Sequence, residues 1–483
     1  MVCAIAKKKD KVTLEIIGGN AESVTGSCTK INFQDRLILF ECGMIQDGHT
    51  TLENYRLNSN LLSKIKATSV DTIIIGHCHC DHIALIPALY AKNCSADIIV
   101  PKGSTSIIKE MWLDCCYINK RDCEKLSLKS DSSYAPLYTE DNVYTALGHI
   151  KELDVGVITP FDEQLSIRYV PAGHILCSCQ AEVFINGGSH TRKIVFTSDL
   201  GNTLTEKERV FVEPFQPIQK ANIVIGESTY AKRGRSSTKN DIEKDIEKMK
   251  AVIQQYCIDS KNRVLIPTFS LDRCPFILWE LYKAFGHDES FKVPIIVDSP
   301  LTNRLLNCYS SILTGEAKEK FNQMMAWKNI RRIITPEDSK AAITDSGAKV
   351  ILASSGMLTA GRSIKWTQSV LPRENDCILF VGYAGEDTLA YKIKNGNTQK
   401  TINICGKPIR NRAQIVTLNG FSSHMQRNEL INYYKGFNCE KIYLVHSNAK
   451  DRLELKADLE AAVSDCLKTT RIVAVNKGTK ISI

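Results

Sequence analysis

Six consecutive residues constrain this chain more than any others: His77-Cys78-His79-Cys80-Asp81-His82, entered through Gly76 from the apolar run Asp71-Thr-Ile-Ile-Ile75. A short β-branched run closed by glycine predicts a buried strand that ends where the polar group begins. Extended backbone points His77 and His79 to one side, while Asp81 and His82 turn away and can hold a second ion close by. Imidazole combined with carboxylate suits zinc or a similar divalent cation. Three of the ten histidines in the chain fall within this group, which predicts a two-metal centre of the hydrolytic kind. By the same alternation Cys78 and Cys80 face away and are expected to pack as small hydrophobes.

At 483 residues the chain exceeds one ordinary core, so two domains are expected. Its 43% apolar and 24% charged residues are those of a globular protein. No apolar run approaches the roughly 18–20 residues of a membrane span, so no membrane association is expected. The net charge of +9 is compatible with a polyanionic partner. Lys7-Lys-Lys-Asp-Lys11 follows only a very short apolar piece, the reverse of a secretory signal. The eighteen cysteines are scattered, without a C-x-x-C pair, and are expected as reduced thiols. A cytoplasmic protein is expected, or a nuclear one if the source is eukaryotic.

The first part of the chain reads as short strands, Val12–Ile17, Thr29–Phe33, Arg36–Phe40, Asp71–Ile75, Asp97–Val100, Leu165–Tyr169 and Lys193–Thr197. Helical stretches such as Ile83–Lys92 and Thr105–Cys116 intervene, suggesting packed sheets with helices outside. The middle part alternates strands, Arg263–Phe269, Val293–Val297, Lys349–Ala353 and Cys377–Gly382, with helices such as Asp272–Phe285 and Thr302–Met324. That alternation predicts a parallel α/β sheet with ligand groups at strand C-termini. A basic loop from Tyr230 to Asn240 leads into a helix with Ile242, Ile246, Met249, Val252, Ile253 and Tyr256 on one face.

A two-metal centre needs more ligands than one loop supplies. His174 follows Leu165–Val170, Asp199 follows the strand begun at Lys193, His424 follows Ala413–Thr417, and His446 ends Ile442–Val445. Six of the ten histidines thus stand at strand ends, while His49, His149, His190 and His287 lie in loop contexts and are expected on the surface.

With these residues in view, the chain resembles the metallo-β-lactamase superfamily, specifically its β-CASP group of nucleic-acid-processing nucleases. His77-x-His79-x-Asp81-His82 is similar to the superfamily signature, and His174 and Asp199 to its third and fourth ligand motifs. Glu227 in Ile225-Gly-Glu-Ser-Thr-Tyr230 resembles motif A, His424 in Gly420-Phe-Ser-Ser-His motif B, and His446 motif C. Glu22–Ser27, Pro267–Arg273, Asp298–Leu301 and Ala353–Thr359 are further echoes, and the likeness is greatest to cleavage-and-polyadenylation-factor-like endonucleases and their bacterial counterparts.

The resemblance implies an α/β fold: a metallo-β-lactamase αββα sandwich built from 1–229 and 413–483, with a β-CASP α/β cap domain inserted over 230–412. Substrate would pass through the cleft between them. It implies two zinc ions, the first held by His77, His79 and His174, the second by Asp81, His82 and His446, with Asp199 bridging. A ligand set spread from His77 to His446 can form only if both ends of the chain join one domain. A histidine at motif C goes with RNA substrates in this group, whereas DNA-processing members commonly carry valine. The implied activity is a zinc-dependent, endonucleolytic ribonuclease acting on single-stranded RNA, with metal-bridged hydroxide as nucleophile and 5′-phosphate and 3′-hydroxyl products. Asp81, Glu227 and His424 form the expected catalytic set, with His424 as general acid and Glu227 orienting it. Arg273, Ser354, Ser355 and Gly356 are candidates for RNA phosphates, against ordinary turn chemistry, and Lys232, Arg233 and Arg235 for steering the backbone. Partner proteins or a second copy of the chain are left open.

The chain departs from the pattern in three places. Glu41-Cys42-Gly43 stands where the superfamily usually has Asp-Cys-Gly, and this glutamate is expected to support the metal ligands from behind. The loop after Tyr230 lacks the histidine found nearby in many relatives. The sequence also runs only a short way past His446, without the assembly and RNA-binding domains of larger members. Two other readings of the same residues are a hydrolase of small esters, lactams or DNA, and a metal-free scaffold subunit.

Overall fold

Alternation in Val12–Ile16, Thr29–Phe33 and Leu165–Pro171 leaves each strand one face to bury. In the computed structural model, which describes residues 11–129, 132–187, 190–234, 238–382, 384–385, 388–396, 400–466 and 469–483, those faces meet. Two compact units result: Met1–Thr203 with Val212–Ser236 and His424–Ile483, and Leu204–Phe211 with Ser237–Ser423.

The first unit holds two seven-stranded sheets. One runs, in spatial order, Lys480–Ser482, Val12–Ile16, Thr29–Phe33, Arg36–Phe40, Val70–Ile74, Asp97–Pro101, Ile150–Leu153. The other runs Arg471–Ala474, Lys441–Val445, Ile223–Glu227, Thr191–Phe196, Cys179–Asn186, Leu165–Pro171, Thr159–Pro160. Leu14, Ile31, Ile38 and Phe40 from the first sheet share one core with Ile167, Val183, Ile194 and Phe196 from the second. Phe40 and Phe196 stack with ring centroids 4.1 Å apart.

Helices cover the outer faces. Val195, Val224, Ile442 and Leu444 pack on Leu430, Tyr434, Leu455 and Leu459 of the helices Arg427–Gly436 and Ala449–Asp465. On the other sheet, Ser104–Leu128 lies against Asp97–Pro101 and Ile150–Leu153, and Trp112 Nε1 donates to the Ile83 carbonyl at 2.9 Å. This is the αββα sandwich. Among the described residues no helix is long and apolar enough to cross a membrane, and every cysteine is a free thiol.

Pairing register then delivers the functional residues. Thr191–Phe196, Ile223–Glu227 and Lys441–Val445 run parallel, with Phe196 opposite Ile225 and Glu227 opposite Val445. Their C-terminal ends therefore bring Asp199, Glu227 and His446 to one edge of the sheet.

The second unit is a six-stranded parallel sheet in the order Ile330–Arg332, Ile295–Asp298, Lys349–Ala353, Arg263–Pro267, Cys377–Phe380, Gln414–Thr417. Its central strands are buried throughout, as sheets covered on both faces require. Gln414–Thr417, read from sequence as part of the returning segment, pairs with Cys377–Phe380 in this sheet.

Several elements differ from their sequence expectation for local reasons. Ile83–Lys92 is two short helices, Cys80–Ile83 and Ile86–Tyr90, because Pro87 is accepted only in a helix's first turn. Thr302–Met324 divides into Pro300–Ile312 and Gly315–Met325, where Leu313 turns extended and Gly315 takes φ +54°. The helix begun at Thr105 continues to Leu128. Lys239–Ile253 buries the five expected residues from Ile242 to Ile253 and then widens into a π-turn, so that Cys257 is buried and Tyr256 only half-buried.

Candidate metal centre

His77, His79, Asp81, His82, His174, Asp199 and His446 converge in the first unit as two groups, His77/His79/His174/Asp199 and Asp81/His82/His446. Asp199 Oδ2 lies 3.4 Å from His77 Nε2 and 3.6 Å from His174 Nε2. Its other oxygen, Oδ1, lies 3.5 Å from His82 Nε2 and 3.5 Å from His446 Nδ1. His79 Nδ1 stands 3.3 Å from His174 Nε2, and Asp81 Oδ2 3.6 and 3.5 Å from the Nε2 atoms of His82 and His446.

These separations exceed the roughly 2.7–3.2 Å of good N–H···O bonds. His77 Nε2, His82 Nε2, His446 Nε2 and Asp199 Oδ1 are buried and have no hydrogen-bond partner among the described residues. Burial of that many polar atoms without partners costs several kcal/mol on the order of 1–3 each, unless a cation takes their lone pairs. The donor set therefore fits a metal centre.

The rear of the cluster is closed by Glu41. Its Oε2 accepts from His82 Nδ1 and Ser27 Oγ, each at 2.6 Å, and its Oε1 from Ser198 Oγ at 2.8 Å and Gly76 N at 3.3 Å. Glu41, His77 and His82 also lie close enough to hold an ion, but Glu41 is already hydrogen-bonded to His82 Nδ1, and His77 Nδ1 lies 2.8 Å from Ser198 Oγ. The backbone is strained around the site: Glu41, Ser198 and His446 take φ of +60°, +49° and +66°, each sparsely populated by side-chain-bearing residues.

Electrostatics divides the imidazoles. Burial lowers His79 to about 3, with His77 adding to the shift, and burial also holds His77 and His174 below the ordinary histidine value. Burial opposes the charge on His82 too, yet Glu41, Asp199 and Asp81 raise it to about 10. His446 is likewise raised, chiefly by Asp199 against burial. Asp81 and Asp199 are lowered despite burial, by His82 and His446. Burial works against the charge of Glu41, but His82, His77 and Ser27 keep it below the usual range.

Beside the cluster, His424 is set by an antiparallel bridge to Gly201 and by Met425 N donating to the Leu200 carbonyl at 2.8 Å. Its ring centroid lies 4.4 Å from that of His174 and 5.5 Å from that of Tyr230. Glu227 Oε1 stands 3.7 Å from His424 Nδ1, and the carboxylate is itself fixed by Leu200 N at 3.0 Å and Thr229 N at 2.7 Å.

The remaining candidates have local partners. In the second unit Arg273 is buried and donates to the Val381 carbonyl at 2.6 Å. Ser354 Oγ donates to Ser299 Oγ at 2.5 Å, while Ser355 Oγ accepts from Thr359 N at 3.0 Å. A Cβ on Gly356 would meet Phe269 N at 3.2 Å, so that turn is closely packed. In the first unit Arg233 Nε donates to Asp458 at 3.3 Å and Lys232 is exposed; Arg235 lies outside the described residues. Sequence reasoning missed Ser27, Ser198 and Thr229, whose Oγ1 lies 2.9 Å from His446 Nδ1. Their only signal was a place in or beside a quoted motif, Ser27 in Glu22–Ser27, Thr229 in Ile225–Tyr230 and Ser198 beside Asp199.

A centre of this kind on an αββα sandwich with an inserted parallel α/β unit defines a class, and comparison agrees. Residues 276–393 match the Beta-Casp domain, and residues 408–468 match the Zn-dependent metallo-hydrolase RNA specificity domain. Both matches are to the β-CASP group of the metallo-β-lactamase superfamily, which the chain resembles in these stretches. It is 28% identical to Ribonuclease TTHA0252 of Thermus thermophilus, over 90% of this chain and 94% of that one. It is 25% identical to Transcription termination factor FttA of Methanocaldococcus jannaschii, over 90% of this chain and 67% of that one. A solved protein of unknown function from Enterococcus faecalis V583 shares the fold, with TM-score 0.54 and 12% identity over 98% of this chain and all of its own.

Proposed function

We propose that this protein is a zinc-dependent ribonuclease that hydrolyses single-stranded RNA internally, leaving 5′-phosphate and 3′-hydroxyl ends. The observation that carries the reading is Asp199, whose two oxygens face two separate groups of imidazoles at 3.4–3.6 Å. Two ligands at about 2.0–2.1 Å from a tetrahedral zinc stand about 3.3–3.4 Å apart, close to those separations. His77, His79 and His174 would hold one ion, Asp81, His82 and His446 the other, and Asp199 both. Bound there, the pair supplies Lewis-acid activation of water and neutralises phosphate oxygens.

The chain's own residues supply the rest. His424, partly open to solvent and 3.7 Å from Glu227, would donate the proton that the leaving 3′-oxygen needs. Glu227, held by two backbone amides, would orient that ring. Relatives named as a ribonuclease and as a transcription termination factor, together with the matched RNA specificity domain, favour RNA over DNA and small molecules. His446 at motif C agrees with them.

The test uses single-stranded RNA and DNA of matched sequence, labelled at either end, with and without chelator, beside a His82→Ala variant. RNA fragments bearing 5′-phosphate, lost with chelator and in the variant, are expected. Cyclic phosphate ends would refute the mechanism, because they require the ribose 2′-oxygen as nucleophile. Cleavage that survives the chelator would remove the metal from it.

A further inference from the structure

Ser198 occupies a position that suits glycine. Its φ is +49°, in the left-handed region where a Cβ is strained and glycine is not. Room for its side chain comes from Gly76, where a Cβ would meet the Cβ and Oγ of Ser198 at 2.6 Å. The hydroxyl held in this space lies 2.8 Å from Glu41 Oε1 and 2.8 Å from His77 Nδ1.

Those two contacts fix the protons. A carboxylate only accepts, and the hydroxyl has one proton to give. If Ser198 donated to His77, its lone pair would face that of Glu41 at 2.8 Å, which is repulsive. So Ser198 donates to Glu41, and His77 Nδ1 carries a proton and donates to Ser198. The Nε2 lone pair of His77 is then bare and directed toward Asp199 Oδ2 at 3.4 Å. Glu41 is 3.9 Å from His77 Nδ1, beyond a direct hydrogen bond, whereas it reaches His82 Nδ1 at 2.6 Å.

We propose that Ser198 is a positioning residue through which Glu41 sets the tautomer and ring orientation of His77. One carboxylate then orients a ligand in each half of the centre, His82 directly and His77 through the hydroxyl. Ser198 itself touches neither ion nor substrate. The proposal rests on the metal-binding reading of the centre.

The test compares Ser198→Gly and Ser198→Ala by zinc competition with a chromogenic chelator and by thermal melting of the metal-free proteins. Both variants lose the hydroxyl, but only alanine keeps the Cβ at a strained φ. The expected result is the same loss of affinity in both, about 10- to 100-fold at one of the two sites, although the glycine variant melts higher than the alanine variant. Unchanged affinity would overturn the proposal. So would affinity that follows melting temperature, because Ser198 would then act only through the fold. Nitrogen-15 spectra of the zinc-loaded wild type read the ring directly: a proton on His77 Nδ1 is expected, and one on Nε2 overturns the assignment. A wild-type protein that takes up no zinc would refute the metal centre itself, a result distinct from all of these.

Discussion

Glu41→Asp removes one methylene from the carboxylate that holds His82 and Ser198. The carboxylate retreats by about 1.3 Å, the advance of one carbon–carbon bond along the chain. Its 2.6 Å contact with His82 Nδ1 then opens to about 3.9 Å, past hydrogen-bonding range. The backbone cannot slide forward to compensate. Glu41 N donates to the Ile74 carbonyl at 2.8 Å, Cys42 N to the His82 carbonyl at 3.0 Å, and Gly43 N to the Ser27 carbonyl at 2.9 Å. Gly43 is packed so closely on Asp81 that a Cβ would sit 1.7 Å from its carbonyl oxygen. One charge-assisted hydrogen bond of about 1.5–3 kcal/mol is lost to His82, and the link to Ser198 goes with it. Zinc affinity should fall about 10- to 100-fold, the usual effect of losing such a partner. Competition against a chromogenic chelator measures it, with melting of the metal-free protein as the control on folding. Wild-type affinity in a folded Glu41→Asp variant would refute the reasoning.

Other consequences are open to direct measurement. His424→Ala should slow RNA cleavage by about 100- to 10,000-fold, the range of a lost general acid, while the protein keeps its zinc; loss of both together would place His424 among the ligands. His82 is raised to about 10, so near neutral pH it is still an imidazolium and must surrender a proton to a cation. Zinc affinity at the His82 half should therefore rise with pH up to about 10, with proton release seen as a dependence of binding heat on buffer; no proton release near neutral pH refutes this. In the second unit Arg263 is fully buried and its Nε donates to Asp376 at 2.9 Å. Arg263→Ala should cost about 3–5 kcal/mol in denaturant unfolding, because it strands a buried carboxylate.

The clustered histidines and aspartates were legible because each follows an apolar strand, and strands and polar punctuation are local properties of a chain. Glu41 was legible only through the resemblance, as the acidic residue standing where the superfamily usually has Asp-Cys-Gly. Ser198 and Thr229 were not legible: a hydroxyl beside a motif looks like any turn residue until a distant group, Glu41 or His446, is brought within 3 Å. Nor was the pairing of Gln414–Thr417 with Cys377–Phe380, since backbone hydrogen bonds carry no mark in the side chains. The sequence by itself determined which chemistry is available, as the kinds of side chain at strand ends. Tertiary structure alone decided the parallel registers that gather Asp199, Glu227 and His446, and which ring nitrogen of each histidine faces the centre. Those depend on contacts between residues far apart in the chain, and no local pattern encodes their distance.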